Sequence, residues 1–374
     1  MSSSDDYGLS PAKPPAAIDP PVIDYRPPMP RNRDRTIALI GAGGICGSHL
    51  QAYRDAGLNV VAIVDRTLSK AEAVRDRYFP NAEAIADYRV LLIRDDVEVF
   101  DVTPHPADRL PILEDAIVAG KHLLSQKPLV LDLDDGARLV ALAEQHRVRL
   151  AVNQNGRWAP HFRYIDQAVR SGLIGDVVSI DFSLQWDQTW IAGIEALERI
   201  KHLILFDFGI HWFDITTCWM AAQKPTQVWA ATTQRVDQKF RPDALASVVI
   251  QYPTAQVRMS FNGHVTRGEL DSTTIVGTRG TLRSQGPGLN HQPYIEGFLD
   301  AGSYRVPLEG CWFKEGFQGS MGELLSAIED DRLPEHNARE NLDSLALCFA
   351  AVQSAETGEA VTIGSVRQLP NGEG

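Results

Sequence analysis

Residues 37–65 constrain this chain more than any other stretch. An apolar segment, Ile37-Ala38-Leu39-Ile40, runs into Gly41-Ala42-Gly43-Gly44-Ile45-Cys46-Gly47. A helical pattern follows, and a second apolar run, Val60-Val61-Ala62-Ile63-Val64, ends on Asp65. Strand, glycine turn, helix and a strand closing on a carboxylate make a dinucleotide-binding βαβ unit. Gly41 permits the tight turn out of the strand. Gly43 has no Cβ, so a diphosphate can approach the backbone closely. Gly44 and Ile45 lead into the helix, whose free N–H groups and positive dipole end favour that anion. Asp65 stands where a carboxylate accepts hydrogen bonds from the adenosine ribose. It favours NAD, because a 2′-phosphate would meet its charge, while Arg66 beside it leaves NADP open. The third glycine position holds Cys46, with Gly47 one residue late. Cys is small, and close helix–strand packing tolerates it.

At 374 residues the chain is long enough for two domains with full cores. A net charge of −12 argues against nucleic acid and against anionic membrane surfaces as partners. No apolar run reaches the roughly 18 residues of a membrane span. The opening Met1-Ser2-Ser3-Ser4-Asp5-Asp6 has neither the basic region nor the apolar core of a secretory signal. Cys46, Cys218, Cys311 and Cys348 are scattered and show no CxxC spacing. They are expected to be small buried hydrophobes in a reducing cytoplasm, with no metal site and no disulfide framework.

Three regions are expected. Residues 1–35 are polar and then proline-rich, which prevents a helix and leaves two alternatives: a disordered tail, or an extended arm anchored by Val22, Ile23 and Tyr25. From 36 to 155, strands alternate with helices at 69–78, 107–119 and 132–146, which implies a doubly wound parallel sheet of Rossmann type. From 156 to 374 the pattern changes to an α+β domain. It has helices at 160–171, 207–220, 317–328 and 338–355, and alternating runs at 246–252, 256–262 and 272–276 that suggest a largely antiparallel sheet.

Three clusters sit where a substrate could meet a nicotinamide. Lys127-Pro128 follows a sheet strand, and α/β sheets place ligands at the carboxyl ends of strands. Asp207 and His211 are four residues apart and would share a helix face, with Asp214 three further on. His is the best-tuned proton acceptor near neutral pH, and a carboxylate beside it can orient the ring. The third cluster, Asn153-Gln154-Asn155-Gly156-Arg157-Trp158, is polar and aromatic. Each has a plainer reading: a solvated loop lysine, a packed Asp–His pair, and a structural ion pair for Arg157.

Four motifs in order carry a family resemblance. They are Gly41-Ala42-Gly43, Thr103-Pro104, Gln126-Lys127-Pro128, and Asp207-Phe208-Gly209-Ile210-His211-Trp212-Phe213-Asp214. Over about 36–363 the chain resembles the Gfo/Idh/MocA oxidoreductases, the glucose–fructose oxidoreductase, inositol dehydrogenase and rhizopine catabolism group. The resemblance implies that Lys127 binds and polarises the reacting hydroxyl. It implies that Asp207 contacts substrate hydroxyls or Lys127, and that His211 is the general base. Thr103 and Pro104 would lie on the nicotinamide side of the cofactor, with Gln126 and Lys127 nearby. From the third cluster, by its position and composition, Asn155, Arg157 and Trp158 are expected to face substrate together with Asp207 and His211. A cis bond before Pro128 and a subunit interface on the antiparallel sheet, giving a dimer or tetramer, are also implied. Gln126 stands where Glu is usual, and His105 and Asp108 depart from the Asn and His expected after Thr-Pro. The segment from Gln185 to His202 has no match. Its Trp186 and Trp190, with Trp158 and Trp212, could stack on a sugar ring or simply fill core and interface.

The resulting expectation is a cytoplasmic NAD(P)-dependent dehydrogenase oxidising a secondary alcohol of a sugar, cyclitol or related polyol. A glycosidase that retains NAD on the same fold, and a nucleotide-binding regulator without catalysis, are the alternatives.

Overall fold

The apolar runs between the first glycine turn and residue 152 form a six-stranded parallel sheet in the structure, a computed structural model that describes residues 15–369. The strands are β1 (Thr36–Ile40), β2 (Asn59–Val64), β3 (Glu83–Ile85), β4 (Val99–Val102), β5 (His122–Ser125) and β6 (Leu150–Val152). Between them run α1 (Cys46–Asp55), α2 (Leu68–Tyr78), α3 (Arg89–Leu92), α4 (Pro106–Val118) and α5 (Leu133–Gln145). The order is β3-β2-β1-β4-β5-β6. It reverses direction between β1 and β4, which opens a ligand crevice above their carboxyl ends. Asp132 caps α5, accepting a 2.7 Å bond from the Asp134 N–H.

The rest of the chain builds α6 (Pro160–Arg170), β7 (Val177–Gln185), α7 (Glu195–Glu198) and α8 (Ile210–Trp219). Seven strands follow: β8 (Gln227–Thr233), β9 (Leu245–Gln251), β10 (Gln256–Asn262), β11 (Leu270–Gly277), β12 (Gly280–Gly286), β13 (Tyr294–Leu299) and β14 (Gly302–Pro307). Then come α9 (Phe317–Glu329), α10 (Ala338–Thr357) and β15 (Val361–Thr362). The nine-stranded sheet has the order β14-β13-β12-β11-β7-β10-β9-β8-β15, and only β7 and β10 pair in parallel. Along β7 the alternation is plain: Ile180, Phe182 and Leu184 are buried, while Ser179, Asp181 and Ser183 are not. On the inward side of β11, Asp271 is fully buried and pairs with no cation. Burial pushes its carboxyl up to about 8, with Gln292 beside it pulling the other way.

Helix α9 belongs physically to the parallel sheet. Its Phe317, Met321, Leu324 and Leu325 share one apolar cluster with Ile37, Leu39, Leu50 and Tyr53. The sequence reading had no place for this, because helical periodicity says that a face is buried and not against what.

The described part of the arm, residues 15–35, lies along the body; residues 1–14 and 370–374 are outside the described residues. Ile18 N–H donates to Ser303 O (2.9 Å) and Ser303 N–H to Ala16 O (2.8 Å), so the arm covers β14 at the sheet edge. Gly302 makes room: its φ is +147°, and a Cβ there would come within 2.3 Å of Ala16 O. Tyr25 packs on Tyr164 and accepts from the Glu309 N–H (3.0 Å), and Arg31 N–H reaches Glu329 (2.9 Å). Ile23 packs on the core, but Val22 is wholly exposed and anchors nothing. Among the described residues no helix is long and apolar enough to cross a membrane.

Candidate active site

Past β5 the chain turns through Gln126, Lys127 and Pro128, and the Lys127–Pro128 bond is cis. The Lys127 ammonium donates to the Asp207 carboxylate (2.9 Å) and to the Asp207 carbonyl (2.7 Å). This bond joins the two halves of the molecule at the crevice. Asp207 sits on a π-helical turn, Ile204–Phe208, closed by the Gly209 N–H on Ile204 O at 2.9 Å. Gly209 is required at the joint, because a Cβ there would lie 2.7 Å from Leu205 O. The expected single helix over 207–220 is therefore corrected: the π turn breaks it before α8. The wider turn inserts an extra residue, so Asp207 and His211 no longer follow the α-helical spacing. Asp207 turns to Lys127, and no hydrogen bond joins it to the His211 ring.

His211, in the first turn of α8, is held by aromatic packing. Its ring meets Trp312 edge to face, with centroids 5.4 Å apart. Its Nδ1 is buried without a partner, which leaves Nε2 as the nitrogen open to the cleft. Burial and the Lys127 ammonium hold the imidazole well below its usual range, so it is neutral and able to accept a proton at neutral pH. Trp312 is fixed in turn by its Nε1 on Asn155 Oδ1 (3.0 Å), and a Cβ on Gly156 would touch its ring at 3.1 Å.

Sequence reasoning missed Trp312 and Arg109. Arg109, on α4 and almost fully buried, donates through Nε and Nη2 to Pro104 O (3.0 and 2.8 Å) and through Nη1 to Pro128 O (2.6 Å). The same Nη1 reaches Gln126 O and Ser125 Oγ. One guanidinium thus ties the Thr103-Pro104 turn to the Lys127 turn. No spacing rule marks it. For Trp312, the one hint is an aromatic pair set between Gly310 and Gly316.

Residues 35–154 match the family model described as an oxidoreductase family with an NAD-binding Rossmann fold. Residues 162–283 match the GFO/IDH/MocA C-terminal domain. The chain belongs to the Gfo/Idh/MocA oxidoreductase family. It is similar to D-apiose dehydrogenase of Paraburkholderia graminis, 28% identical over 345 residues that cover 88% of this chain and 90% of that one. It is also similar to inositol 2-dehydrogenase of Rhizobium meliloti, 25% identical over 334 residues that cover 87% and 98%. Among solved structures, an Agrobacterium radiobacter oxidoreductase in complex with NAD+, L-tartaric acid and magnesium superposes with a TM-score of 0.80 at 22% identity. That match covers 89% of this chain and 99% of that one, and shows the shared fold.

The glycine turn of this Gfo/Idh/MocA oxidoreductase fits a dinucleotide. Gly41 adopts φ +102°, and a Cβ there would strike Thr103 Oγ1 at 2.7 Å. A Cβ on Gly43 or Gly44 would meet nothing within 4 Å, so both present open backbone. Asp65 is held by the N–H groups of Ala42 (3.0 Å) and Thr67 (2.8 Å) at the end of β2. Arg66 is highly exposed and leans toward Asp108 at 3.4 Å. Thr103 bonds Ile40 O (3.0 Å) and Gly41 O (2.8 Å), locking the turn after β4 to the glycine turn. Cys46 is buried, and Gly47 supplies the close approach: a Cβ there would meet the Tyr78 hydroxyl at 2.8 Å.

Two expected substrate contacts are not placed in the cleft. Arg157 is buried and forks onto Asp214 (2.6 and 2.7 Å), and its Nη1 reaches Glu335 O (2.5 Å). Trp158 is fully buried, and a Cβ on Gly319 would fall 2.3 Å from it. Both are corrected to packing roles: Arg157 neutralises the buried Asp214 of α8, and Trp158 fills the core against Gly319 and His336. Of the four tryptophans, Trp158, Trp186 and Trp212 are buried, while Trp190 is 54% exposed.

Proposed function

We propose that this chain is an NAD(P)-dependent dehydrogenase oxidising a secondary alcohol of a sugar, cyclitol or related polyol. The single observation that carries the reading is the Lys127–Asp207 bond, which sets an ammonium beside a neutral imidazole at the mouth of the dinucleotide crevice. Gly41, Gly43, Gly44, Ile45, Asp65, Thr103 and Pro104 would hold NAD, whose nicotinamide accepts the hydride from the alcohol carbon. Lys127 keeps a third N–H for the substrate oxygen and stabilises negative charge there. His211 takes the hydroxyl proton at Nε2, as the carbon–oxygen bond becomes a carbonyl. Asp207 holds the ammonium in place. Asn155 holds Trp312, which seals the imidazole from one side and helps exclude water.

The names of its relatives, D-apiose dehydrogenase and inositol 2-dehydrogenase, support a cyclic polyol as substrate. Trp190 fits such a ring. It packs edge to face on Phe208, next to Asp207, with centroids 6.0 Å apart. Its segment is pinned: the Trp186 N–H donates to Asn262 O (3.0 Å), and Asp187 accepts from the Thr189 N–H (2.8 Å). We further read residues 36–155, completed by α9, as the nucleotide-binding part and 156–374 as the substrate part. The outward side of the nine-stranded sheet is read as the interface of a homo-oligomer. Cys46, Cys218, Cys311 and Cys348 are scattered along the chain with no CxxC spacing, which suits the cytoplasm.

The test is cofactor reduction, followed by absorbance, over a panel of sugars, inositols and glycosides with NAD and with NADP. The panel includes D-apiose and myo-inositol. The expected result is NADH formation on at least one ring polyol. Lys127→Ala and His211→Ala should fold, bind NAD and lose most turnover. Full activity in both variants refutes the assignment. Free reducing sugar released from a glycoside without net NADH refutes the dehydrogenase reading.

A further inference from the structure

A closed polar network lies beneath the catalytic turn, between α1 and the sheet. It contains His49, Tyr53, Asp101, Gln126 and Asn153, and none of these is more than 7% exposed. His49 Nδ1 lies 2.7 Å from Asp101 Oδ2 and 3.2 Å from the Tyr53 hydroxyl, which itself donates to Asp101 Oδ2 at 2.7 Å. On the other side of the ring, Nε2 lies 3.3 Å from Gln126 Nε2 and 3.2 Å from Asn153 Nδ2. Gln126 Oε1 accepts from the backbone N–H of Lys127 at 2.7 Å and from Asn153 Nδ2 at 3.3 Å.

These contacts permit one arrangement of protons. The Lys127 N–H can only donate, so the Gln126 oxygen must face it. The Gln126 amide NH2 then faces His49. An NH2 group cannot accept, so Nε2 must be the bare ring nitrogen. Asn153 obeys the same logic, because turning its amide over would set its oxygen against Gln126 Oε1. The ring proton therefore sits on Nδ1 and is donated to the Asp101 carboxylate. Donors run one way, from Lys127 N–H to Gln126, from Gln126 to His49, and from His49 to Asp101. Phe317 covers the ring at 4.7 Å between centroids. Cys46 and Arg109 complete the ionisable neighbours of Asp101.

We propose that Gln126 is a positioning residue: its amide NH2 fixes His49 as the Nδ1-protonated neutral tautomer, and its amide oxygen holds the backbone of Lys127 in place. The consequence for turnover rests on the role proposed for Lys127; the tautomer does not. An amide is needed at this position because a carboxylate has no hydrogen to offer the bare Nε2. Acceptor would face acceptor in the buried network, and the ring would have to take up a second proton.

Histidine-selective nitrogen NMR on the full chain, with and without NAD, tests this. In the wild type, His49 should show a protonated Nδ1 and a bare Nε2 in neutral buffer. In Gln126→Glu both nitrogens should be protonated in the same buffer, which also identifies the signal. A wild-type ring protonated at Nε2 overturns the proposal. A kinetic arm uses Gln126→Leu, which removes the acceptor for the Lys127 N–H. Its kcat should fall about tenfold or more with little change in NAD affinity, and Gln126→Glu, which keeps that acceptor, should recover most of the loss. Unchanged kcat in Gln126→Leu, or equal losses in both variants, counts against positioning. If no polyol is oxidised but the wild-type spectrum is as expected, the dehydrogenase reading fails and the tautomer stands.

Discussion

Replacing Arg109 with methionine should loosen two turns at once. Methionine keeps most of the buried apolar stem, so the change isolates the guanidinium. Without it, the carbonyls of Pro104 and Pro128 lose the donors that now bind them, while Gln126 O keeps the Ser125 hydroxyl at 3.2 Å. Each buried carbonyl left without a donor costs about 1–3 kcal/mol, so two cost about 4 kcal/mol. At about 1–2 °C per kcal/mol for a chain of 374 residues, the melting midpoint should fall by roughly 5 °C. Circular dichroism melting measures it. The same melts in saturating NAD should show a smaller stabilising increment than in the wild type, because both turns border the cofactor crevice. Arg109→Lys retains a cation but not the fork, and should fall between the two. A methionine variant that melts within about 1 °C of the wild type, with its NAD increment intact, would refute the idea that this one side chain joins the turns.

Three further outcomes are expected. Asp271→Asn should stabilise the protein, and by more as pH rises: the buried carboxyl titrates near 8, above its unfolded value of about 3.9. Its contribution to stability is present below that unfolded value and lost as pH rises through 8, so a margin equal at pH 5 and pH 8 would contradict the sign. Lys127→Met should raise the pKa of His211 toward its ordinary value, because one of its two depressing influences is gone; histidine NMR titration reads this, and an unmoved midpoint means the ammonium is not felt. Trp190→Ala should raise KM for a ring polyol about 2- to 10-fold with NAD affinity and melting nearly unchanged, and an unchanged KM removes the stacking role.

Much of the fold was legible because local periodicity and turn chemistry agree with it. β1, the glycine turn, β2 and Asp65 each have a local cause. The strand at 256–262 and the starts of α9 and α10 fall where alternation and helical spacing put them. The hairpins of β12, β13 and β14 went unread, since Gly280, Gly286, Gly297 and Gly302 dilute their alternation. At the site, Lys127 and His211 were legible from residue type and neighbours. The Asp207–Lys127 contact was one of two that the resemblance implied, whereas residue spacing alone set Asp207 beside His211, because a π turn obeys no spacing rule in sequence. Arg109 and Trp312 were illegible for another reason: their roles are contacts with backbone and rings far along the chain.

The packing of α9 on α1 bears on how this enzyme could be rebuilt. A natural plan for changing substrate preference is to exchange everything after residue 155 for the corresponding half of a relative. That exchange would remove Phe317, Met321, Leu324 and Leu325, and with them part of the apolar cover over β1 and α1. The grafted helix would have to match side chains it was never selected against, and overpacking or voids there cost stability directly. The exchangeable part is therefore interrupted. It begins after β6, must leave α9 (Phe317–Glu329) in place, and resumes with α10 and β15, because β15 pairs with β8 in the nine-stranded sheet.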